Sequence, residues 1–396
     1  MVPDAPRLDP RGFLDDACAA MPRAPYRVLA LVILSALIVS AAAAGTGEWY
    51  FQHHKTPPGP EVGLGGYVLG GWFAYDSGWY ADIAERGYHY TPGLQSSVAF
   101  FPLYPLAVRA AQTLVRDVHW AGVLVTLLCG PLAVLLFLRW ARTRVDDDTA
   151  FQASLLFALY PFSFFLYGVM YSDALFILMV VGAFLLLEKG RLGPAVLLGA
   201  LATAARPVAP AVVVGLLVRR LEWKRERNER WTLVDLLPVL SALGFVFYML
   251  YLQWRFHEPL AFVKVQEAWG QVPGWRAWLK LSWFKSVFSP ESTPDFVLWI
   301  CIHAALSLGA LALVWPTFKK LGWGYGAFCA VMVGIPTVST KDFMGMGRYL
   351  LSAFPLFLTL AWLLRERPRV RRGILAVSTV SLVLLSAAFG LDYYLS

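Results

Sequence analysis

The feature that most constrains this chain is a series of apolar runs, each about as long as a membrane is thick. A transmembrane helix needs about 20 mostly apolar residues, within a range of about 17–25. We predict about eleven such spans, so the expected fold class is an all-α polytopic membrane protein. The spans lie near residues 27–45, 119–138, 150–168, 171–187, 193–206, 208–218, 232–253, 296–315, 322–338, 347–364 and 373–392.

One of these runs contains a break. Residues 193–218 are long for one span and short for two, and they are interrupted at Ala205-Arg206-Pro207. Pro207 lacks a backbone donor and disfavours helix at the residue before it. We therefore expect two short helices that meet at Arg206.

Composition supports the membrane class. Hydrophobic residues make up 58% of the 396 residues and charged residues 15%, against about 45–50% and about 25% in soluble domains. Soluble multidomain proteins are therefore excluded, and so is intrinsic disorder, which requires low hydrophobicity. The net charge of +8 fits basic cytoplasmic loops, so we expect membrane lipids and no nucleic acid as partners.

The same sequence gives no sign of a metal or cofactor. The four cysteines form no CxxC pair, which argues against zinc and redox chemistry. Phosphate-loop, GxSxG and HExxH patterns are absent from the sequence. We expect no metal and no cofactor.

The basic residues predict the orientation, because Lys and Arg favour cytoplasmic loops. With the N-terminus inside, the Arg-rich stretches 219–230 and 365–372 lie on the cytoplasmic side. This predicts a cytoplasmic tail at 1–26 and one transmembrane catalytic domain at 27–396, in the plasma membrane. The long acidic leader indicates that the first span is an uncleaved signal anchor.

Two segments are too long and too polar to be simple turns. Residues 46–118 and 254–295 are predicted as extracytoplasmic loops with interfacial helices, because aromatic residues are dense in both. The apolar stretch Phe100–Val115 carries Arg109 and two prolines, and we interpret it as a surface helix. Loops of this length usually carry function.

Ionisable residues near a membrane are costly and often functional. Those that are candidates here all fall on the predicted outer side. They are Asp76, Asp82, Glu85, Arg86, His89, Asp173, Arg206, His257, Glu258, Glu267, Lys341, Asp342 and Arg348.

Asp76 opens a short predicted helix on which Tyr75, Trp79 and Asp82 share a face. One interpretation is an interfacial helix with aromatic anchors, capped by Asp76. The other is a carboxylate among aromatic walls, where a sugar binds and a general base is positioned. Both interpretations remain open at the level of the residues.

Arg206 and Arg348 also admit two interpretations. They can extend to the interface, or pair with Asp173 or Asp342. Alternatively they bind an anionic group, since the guanidinium group suits phosphate.

Several motifs together resemble a known family. Asp76-Ser77-Gly78-Trp79-Tyr80-Ala81-Asp82-Ile83-Ala84-Glu85-Arg86-Gly87-Tyr88, followed by Phe100-Phe101-Pro102-Leu103-Tyr104-Pro105, is similar to the first luminal loop of the PIG-V mannosyltransferases, within the C superfamily of glycosyltransferases (GT-C). Pro161-Phe162, Tyr171-Ser172-Asp173-Ala174-Leu175-Phe176 and Gly347-Arg348-Tyr349 match the same pattern. The resemblance runs from about residue 70 to residue 360.

The resemblance implies a GT-C-like membrane glycosyltransferase that takes a sugar, mannose in this family, from a polyprenyl-phosphate donor. The acceptor would be a lipid or glycolipid at the extracytoplasmic face, and the anomeric carbon would be inverted. Asp76 would be the general base, with Asp82 the second catalytic candidate.

The remaining site residues follow from their positions. Arg348 and Arg206 would bind the donor phosphate, because both can reach the headgroup level. The substrate-binding candidates are Trp79, Tyr80, Tyr104, Tyr171, Asp173 and Gln266.

Two other functions stay open. A membrane transporter or lipid-linked sugar flippase would use broken helices such as the one at Arg206-Pro207. A non-catalytic subunit of a cell-envelope complex is the other alternative.

Overall fold

The computed structural model describes residues 23–54, 71–271 and 274–395, and every regular element within them is helical. The α-helices, in chain order, are α1 (Arg23–His54), α2 (Asp76–Arg86), α3 (Leu103–Val115), α4 (Val118–Ala141), α5 (Asp147–Ala158), α6 (Asp173–Glu188), α7 (Leu192–Thr203), α8 (Ala209–Glu226), α9 (Leu243–Phe256), α10 (Ala261–Lys264), α11 (Trp275–Trp278), α12 (Leu281–Phe288), α13 (Pro294–Leu321), α14 (Trp323–Ser339), α15 (Met346–Leu351), α16 (Pro355–Leu363) and α17 (Pro368–Gly390). Short 3₁₀ helices lie at Ser97–Ala99, Ser163–Leu166, Leu233–Ala242 and Val265–Trp269. Most of the predicted tail 1–26 and residues 55–70 of the predicted first outer loop lie outside the described residues.

Within the described ranges, five helical segments are long and apolar enough to cross a membrane. They are Pro25–Tyr50, Val118–Ala141, Leu233–Phe256, Pro294–Leu321 and Pro368–Gly390. Two shorter apolar helices are α7 and α14. The chain is a multi-pass membrane protein, and the total of about eleven spans stays a prediction.

Several helix bounds differ from the sequence expectation; α8, for example, continues to Glu226 instead of ending near residue 218. The first helix continues to His54 instead of ending near residue 45. The predicted spans 150–168 and 347–364 are each divided: α5 ends at Ala158, and α15 ends at Leu351 before Pro355 starts α16. The physical reason is that Pro161 and Pro355 cannot donate the backbone hydrogen bonds that would continue these helices.

The predicted break at Arg206 is confirmed. Helix α7 ends at Thr203 and α8 starts at Ala209, so Ala205, Arg206 and Pro207 lie between them. Leu103 donates its backbone N–H to the carbonyl of Ala204 at 2.9 Å, which joins the start of α3 to this break.

The core forms where α4 packs against α5 and α6. Aromatic rings fill it: the centroids of Phe137 and Phe157 are 4.9 Å apart, and those of Trp140 and Phe354 4.7 Å. Helix α6 is buried along most of its length. By contrast, α1, α9, α13 and α17 expose large apolar side chains, as helices that face lipid do.

A buried ionic network lies at the end of α6. Arg219 is 2% exposed, and its guanidinium donates to Glu188 at 2.6 Å, to Glu226 at 2.9 Å and to Glu222 at 3.1 Å. Because α6 begins at Asp173 and ends at Glu188, and a helix rises 1.5 Å per residue, this network lies about 22 Å from Asp173.

Candidate active site

Four charged side chains form one chain of ion pairs, here called the charged ladder: Asp76, Arg348, Asp173 and Arg206. Arg348 donates from Nη1 to Asp76 Oδ2 and from Nε to Asp173 Oδ2, both at 3.0 Å. Arg206 donates from Nη1 to Asp173 Oδ1. Each residue comes from a different place in the fold: the starts of α2 and α6, the α7–α8 break, and α15. The ladder therefore ties four segments together.

Asp76 is the open end of the ladder. Its side chain is 24% exposed, whereas Asp173 is fully buried and the two arginines are nearly so. Asp76 Oδ1 accepts no hydrogen bond from the residues that the structure describes. Since the two carboxylates balance the two guanidinium groups, pairing offsets the cost of burying the charges.

The start of α2 leaves the Asp76 carboxylate free to face Arg348. Asp76 is the first residue of the helix, and Tyr75 precedes it at φ 54° without a side-chain cap, so the capping interpretation of Asp76 is wrong. The left-handed φ at Tyr75 is held because its hydroxyl donates to the carbonyl of Asp392 and its ring packs on Phe389. Such strained backbone persists where surrounding contacts fix it.

Tyr171 connects α2 to the ladder. Its hydroxyl accepts the backbone N–H of Asp76 at 3.1 Å, and its ring centroid lies 4.5 Å from the guanidinium carbon of Arg348. Tyr171 therefore holds the backbone of Asp76 by a hydrogen bond and the guanidinium group of Arg348 by a cation–π contact.

Tyr80 and Tyr104 lie beneath this surface. Tyr80 donates its hydroxyl to Ser172 Oγ at 2.9 Å, and burial raises its pKa to about 12. Tyr104 packs edge-on against Tyr80, and its hydroxyl donates to the carbonyl of Gly122. Both hydroxyls are buried and bonded within the protein, so these residues support the site from below.

Trp79 and Gln266 lie in a cluster of aromatic side chains beside α2, outside the charged ladder. The Trp79 ring stacks on Phe100 and meets Trp269 edge-on, each at 5.9 Å between centroids. Gln266, on the same 3₁₀ helix as Trp269, donates its side-chain amide to the carbonyl of Phe262 at 3.2 Å. The structure thus brings the two predicted outer loops together beside α2.

Asp82 does not join the ladder. It lies on α2 as predicted, but its carboxylate pairs with Arg86 at 3.3 Å and with His89 Nδ1 at 3.6 Å. Asp82 follows Asp76 by six residues, which is not a whole number of helical turns, so the two side chains point in different directions.

Arg348 pairs with Asp173, one of the two partners that the sequence offered, and also with Asp76, which the sequence did not suggest. The other offered partner, Asp342, accepts the backbone N–H of Met344 at 3.1 Å. Tyr349 lies against both guanidinium groups, its centroid 5.5 Å from the carbon of Arg206 and 5.9 Å from that of Arg348. An aromatic residue beside an arginine is common in any core, so the sequence carried no specific signal for it.

An apolar groove of about 680 Å³ lies beside the second half of α2. Its walls come from α2, α3, α7 and α9, and Ile83 and Ala84 of α2 are among them. The exposed cation Arg109 lies in its lining and donates to the carbonyl of Glu85 at 3.2 Å. One helix therefore presents Asp76 to the ladder and apolar side chains to the groove.

Residues 62–222 match the model of the family described as mannosyltransferase (PIG-V). The matched range is 161 of the 396 residues, about two fifths of the chain. Asp76, Asp173 and Arg206 lie within the matched range, and Arg348 lies beyond it. No group of three or more potential metal ligands occurs among the described residues.

Proteins similar to this chain include GPI alpha-1,6-mannosyltransferase 2 of Homo sapiens, 36% identical over 152 residues, which are 35% of this chain and 29% of the human protein. The Rattus norvegicus enzyme of the same name is 33% identical over 46% of this chain and 38% of its own length. The matched segments thus span less than half of these relatives.

Solved structures with a similar course of the chain include the oligosaccharyltransferase of Archaeoglobus fulgidus, crystallised with Zn and sulfate. It has a TM-score of 0.48 and 13% identity, and the match covers 91% of this chain and 53% of that one. An oligosaccharyltransferase from the same archaeon, in complex with an inhibitory peptide and a dolichol-phosphate, has a TM-score of 0.49 and 12% identity, and the match covers 93% of this chain and 56% of that one.

Proposed function

We propose that this protein transfers mannose from a polyprenyl-phosphate donor to a lipid or glycolipid acceptor at the extracytoplasmic face of the plasma membrane. The observation that carries the proposal is the open end of the charged ladder. Asp76 has one oxygen fixed by Arg348 and the other free, and it lies within the residues 62–222 that match a family of mannosyltransferases.

The free oxygen of Asp76 suits a general base. The carboxylate takes the proton from the acceptor hydroxyl while the hydroxyl oxygen of the acceptor attacks the anomeric carbon of the sugar. The bond from the anomeric carbon to the phosphate oxygen breaks on the opposite face. The products are an inverted glycoside and a polyprenyl phosphate that carries one more negative charge than it had in the donor. Asp82, at the far end of α2, is the second candidate and would orient the acceptor.

Arg348 and Arg206 would meet the growing charge of the leaving phosphate. Arg348 Nη2, and Nε and Nη2 of Arg206, donate no hydrogen bond to the residues that the structure describes, so both guanidinium groups keep donors for a substrate. Cations that meet charge as it develops stabilise the transition state more than the ground state.

The apolar groove supports a donor with a long hydrocarbon tail. Its lining is apolar apart from the guanidinium group of Arg109 and a few hydroxyls, and it opens beside the exposed Leu106, Leu197 and Phe247, which would face lipid. A tail lying there would place its headgroup near α2 and hence near Asp76. The aromatic group of Trp79, with Gln266 nearby, would bind sugar, while Tyr80, Tyr104, Tyr171 and Asp173 would shape the site beneath it.

The test is an assay of the purified protein with polyprenyl-phosphate mannose and lipids of the native membrane. We expect a mannosylated lipid and free polyprenyl phosphate in equal amounts, both measured by mass spectrometry. Movement of the donor across vesicles without release of phosphate would overturn the proposal in favour of a carrier. Activity that appears only after a second protein is added would overturn it in favour of a non-catalytic subunit.

The proposed orientation has its own test. In a cysteine-free background, Leu94→Cys should react with a membrane-impermeant thiol reagent in intact cells, because Leu94 is exposed in the first outer loop. Glu366→Cys, at an exposed turn on the basic side, should react only after lysis. Labelling of the Glu366 site in intact cells would contradict an extracytoplasmic active site.

A further inference from the structure

Gly347, the residue before Arg348, is held at both backbone polar groups by side chains from distant helical segments. Its N–H donates to His303 Nδ1 at 3.2 Å, and its carbonyl accepts the hydroxyl of Tyr160 at 2.9 Å. His303 lies in the middle of α13, and Tyr160 lies just after α5. We call these two contacts the Gly347 clamp.

The clamp is tightly packed. His303 is fully buried and meets Phe162 and Trp299 edge-on, with centroids 5.6 and 4.7 Å away. A Cβ added to Gly347 would lie 2.2 Å from the Phe162 ring, so only glycine fits at this position. For Nδ1 to accept a hydrogen bond it must carry no proton, which makes His303 a neutral ring with its proton on Nε2.

The clamp acts on a helix that cannot fix its own position. Helix α15 has only six residues, and the turn before it contains Phe343 at φ 64° and Gly345 at φ 83°. Helices this short are not stable in isolation, so their place depends on contacts with neighbours. Yet the next residue, Arg348, must reach Asp76 and Asp173 at the same time.

We propose that His303 is a positioning residue for Arg348, acting through the backbone of Gly347, with Tyr160 as its partner. This inference rests on the proposed function, because it takes the charged ladder as the active site. His303 touches no member of the ladder. Its role is to keep α15 where one guanidinium group spans both carboxylates.

The test compares substitutions that keep or remove the acceptor. His303→Leu leaves the Gly347 N–H without a partner, and we expect kcat to fall about 10–100-fold, since small displacements of catalytic groups have effects of this size. The donor KM should change much less. His303→Asn places an amide oxygen near the position of Nδ1 and should recover most of kcat.

Two further variants separate positioning from general stability. Thr317→Val, in the same helix, removes a buried hydrogen bond to Thr359 far from Arg348, and should lower the melting temperature without changing kcat. If His303→Leu fails to fold, Tyr160→Phe removes only the hydroxyl contact to Gly347 and should still lower kcat severalfold. An unchanged kcat in Tyr160→Phe and in His303→Leu would overturn the inference.

A double-mutant cycle links the effect to Arg348. If His303 acts through Arg348, then His303→Leu should have little further effect on kcat in an Arg348→Lys background, whereas additive effects would overturn the inference. The outcomes are distinguishable from failure of the proposed function. An Asp76→Asn variant with full turnover overturns the function itself, while a dead Asp76→Asn variant beside an unaffected His303→Leu variant overturns only the positioning role.

Discussion

Replacement of Asp76 by Asn is expected to lower turnover about 10²–10⁴-fold, the usual contribution of a general base. The amide keeps the shape of the side chain and an oxygen for Arg348, but it cannot take the proton from the acceptor hydroxyl. Donor binding should persist, because the acceptor proton is not involved in it. Initial rates and donor affinity of the purified variant measure the two effects separately.

The matched control lies on the same helix. Glu85→Gln removes a carboxylate that is exposed on α2 and has no ion pair with the residues that the structure describes, so turnover should stay within about twofold of wild type. If Asp76→Asn kept wild-type turnover, the base assignment would be wrong and Asp82→Asn would be the next variant to measure. A loss in both aspartate variants would indicate that Asp82 orients the acceptor.

The sequence singled out every member of the charged ladder and offered Asp173 as a partner of both arginines, but it did not suggest the pair of Arg348 with Asp76. Asp76, Asp173, Arg206 and Arg348 stand out because charges near apolar spans are costly. Their pairing depends on contacts across large separations: Arg348 and Asp76 are 272 residues apart in the chain. A nearby carboxylate, Asp342, was as good a candidate for Arg348, and only the packing of α15 against its neighbours decides between them.

The helix ends were predictable in part. Pro207 follows Arg206 in a run that is long for one span and short for two, so the break there could be predicted. Pro161 and Pro355 stand in runs of ordinary length for a span, where apolar residues occur on all sides. Such runs have no amphipathic period to mark where one helix stops and another begins. A prediction from length alone therefore treated 150–168 and 347–364 as single spans, whereas the structure divides each of them.

The Gly347 clamp could not be predicted from the sequence, because the residues that form it carry no specific pattern. A lone histidine in an apolar helix has many uses, and its partner here is a backbone N–H, which every residue except proline supplies. The motif Gly347-Arg348-Tyr349 was visible as a motif. The hydrogen bond from the Gly347 N–H to His303 of α13 could not be predicted from that motif.

Arg348→Lys is expected to lower turnover about 10²–10³-fold while the protein stays folded. Lysine keeps the charge but has one nitrogen in place of a planar fork, so it cannot hold Asp76 and Asp173 in the same geometry and still face a phosphate. Donor binding should weaken less than turnover, because the leaving phosphate carries more charge than the bound donor. Single-turnover rates and donor affinity, measured on the same preparation, test this.

Arg348→Ala should have the same effect on turnover with an added loss of stability. Removal of one partner from a buried ion pair commonly costs about 3–5 kcal/mol, because Asp173 would keep only Arg206 and Asp76 would lose its only partner among the described residues. The matched control is Arg219→Lys, which weakens the buried network at the other end of α6. It should lower the melting temperature but leave turnover unchanged at temperatures where the variant is folded. If the Arg348 variants behaved like Arg219→Lys, with normal turnover and lower melting temperature, then Arg348 would be a structural partner of Asp173 and the leaving phosphate would have to meet its positive charge at Arg206.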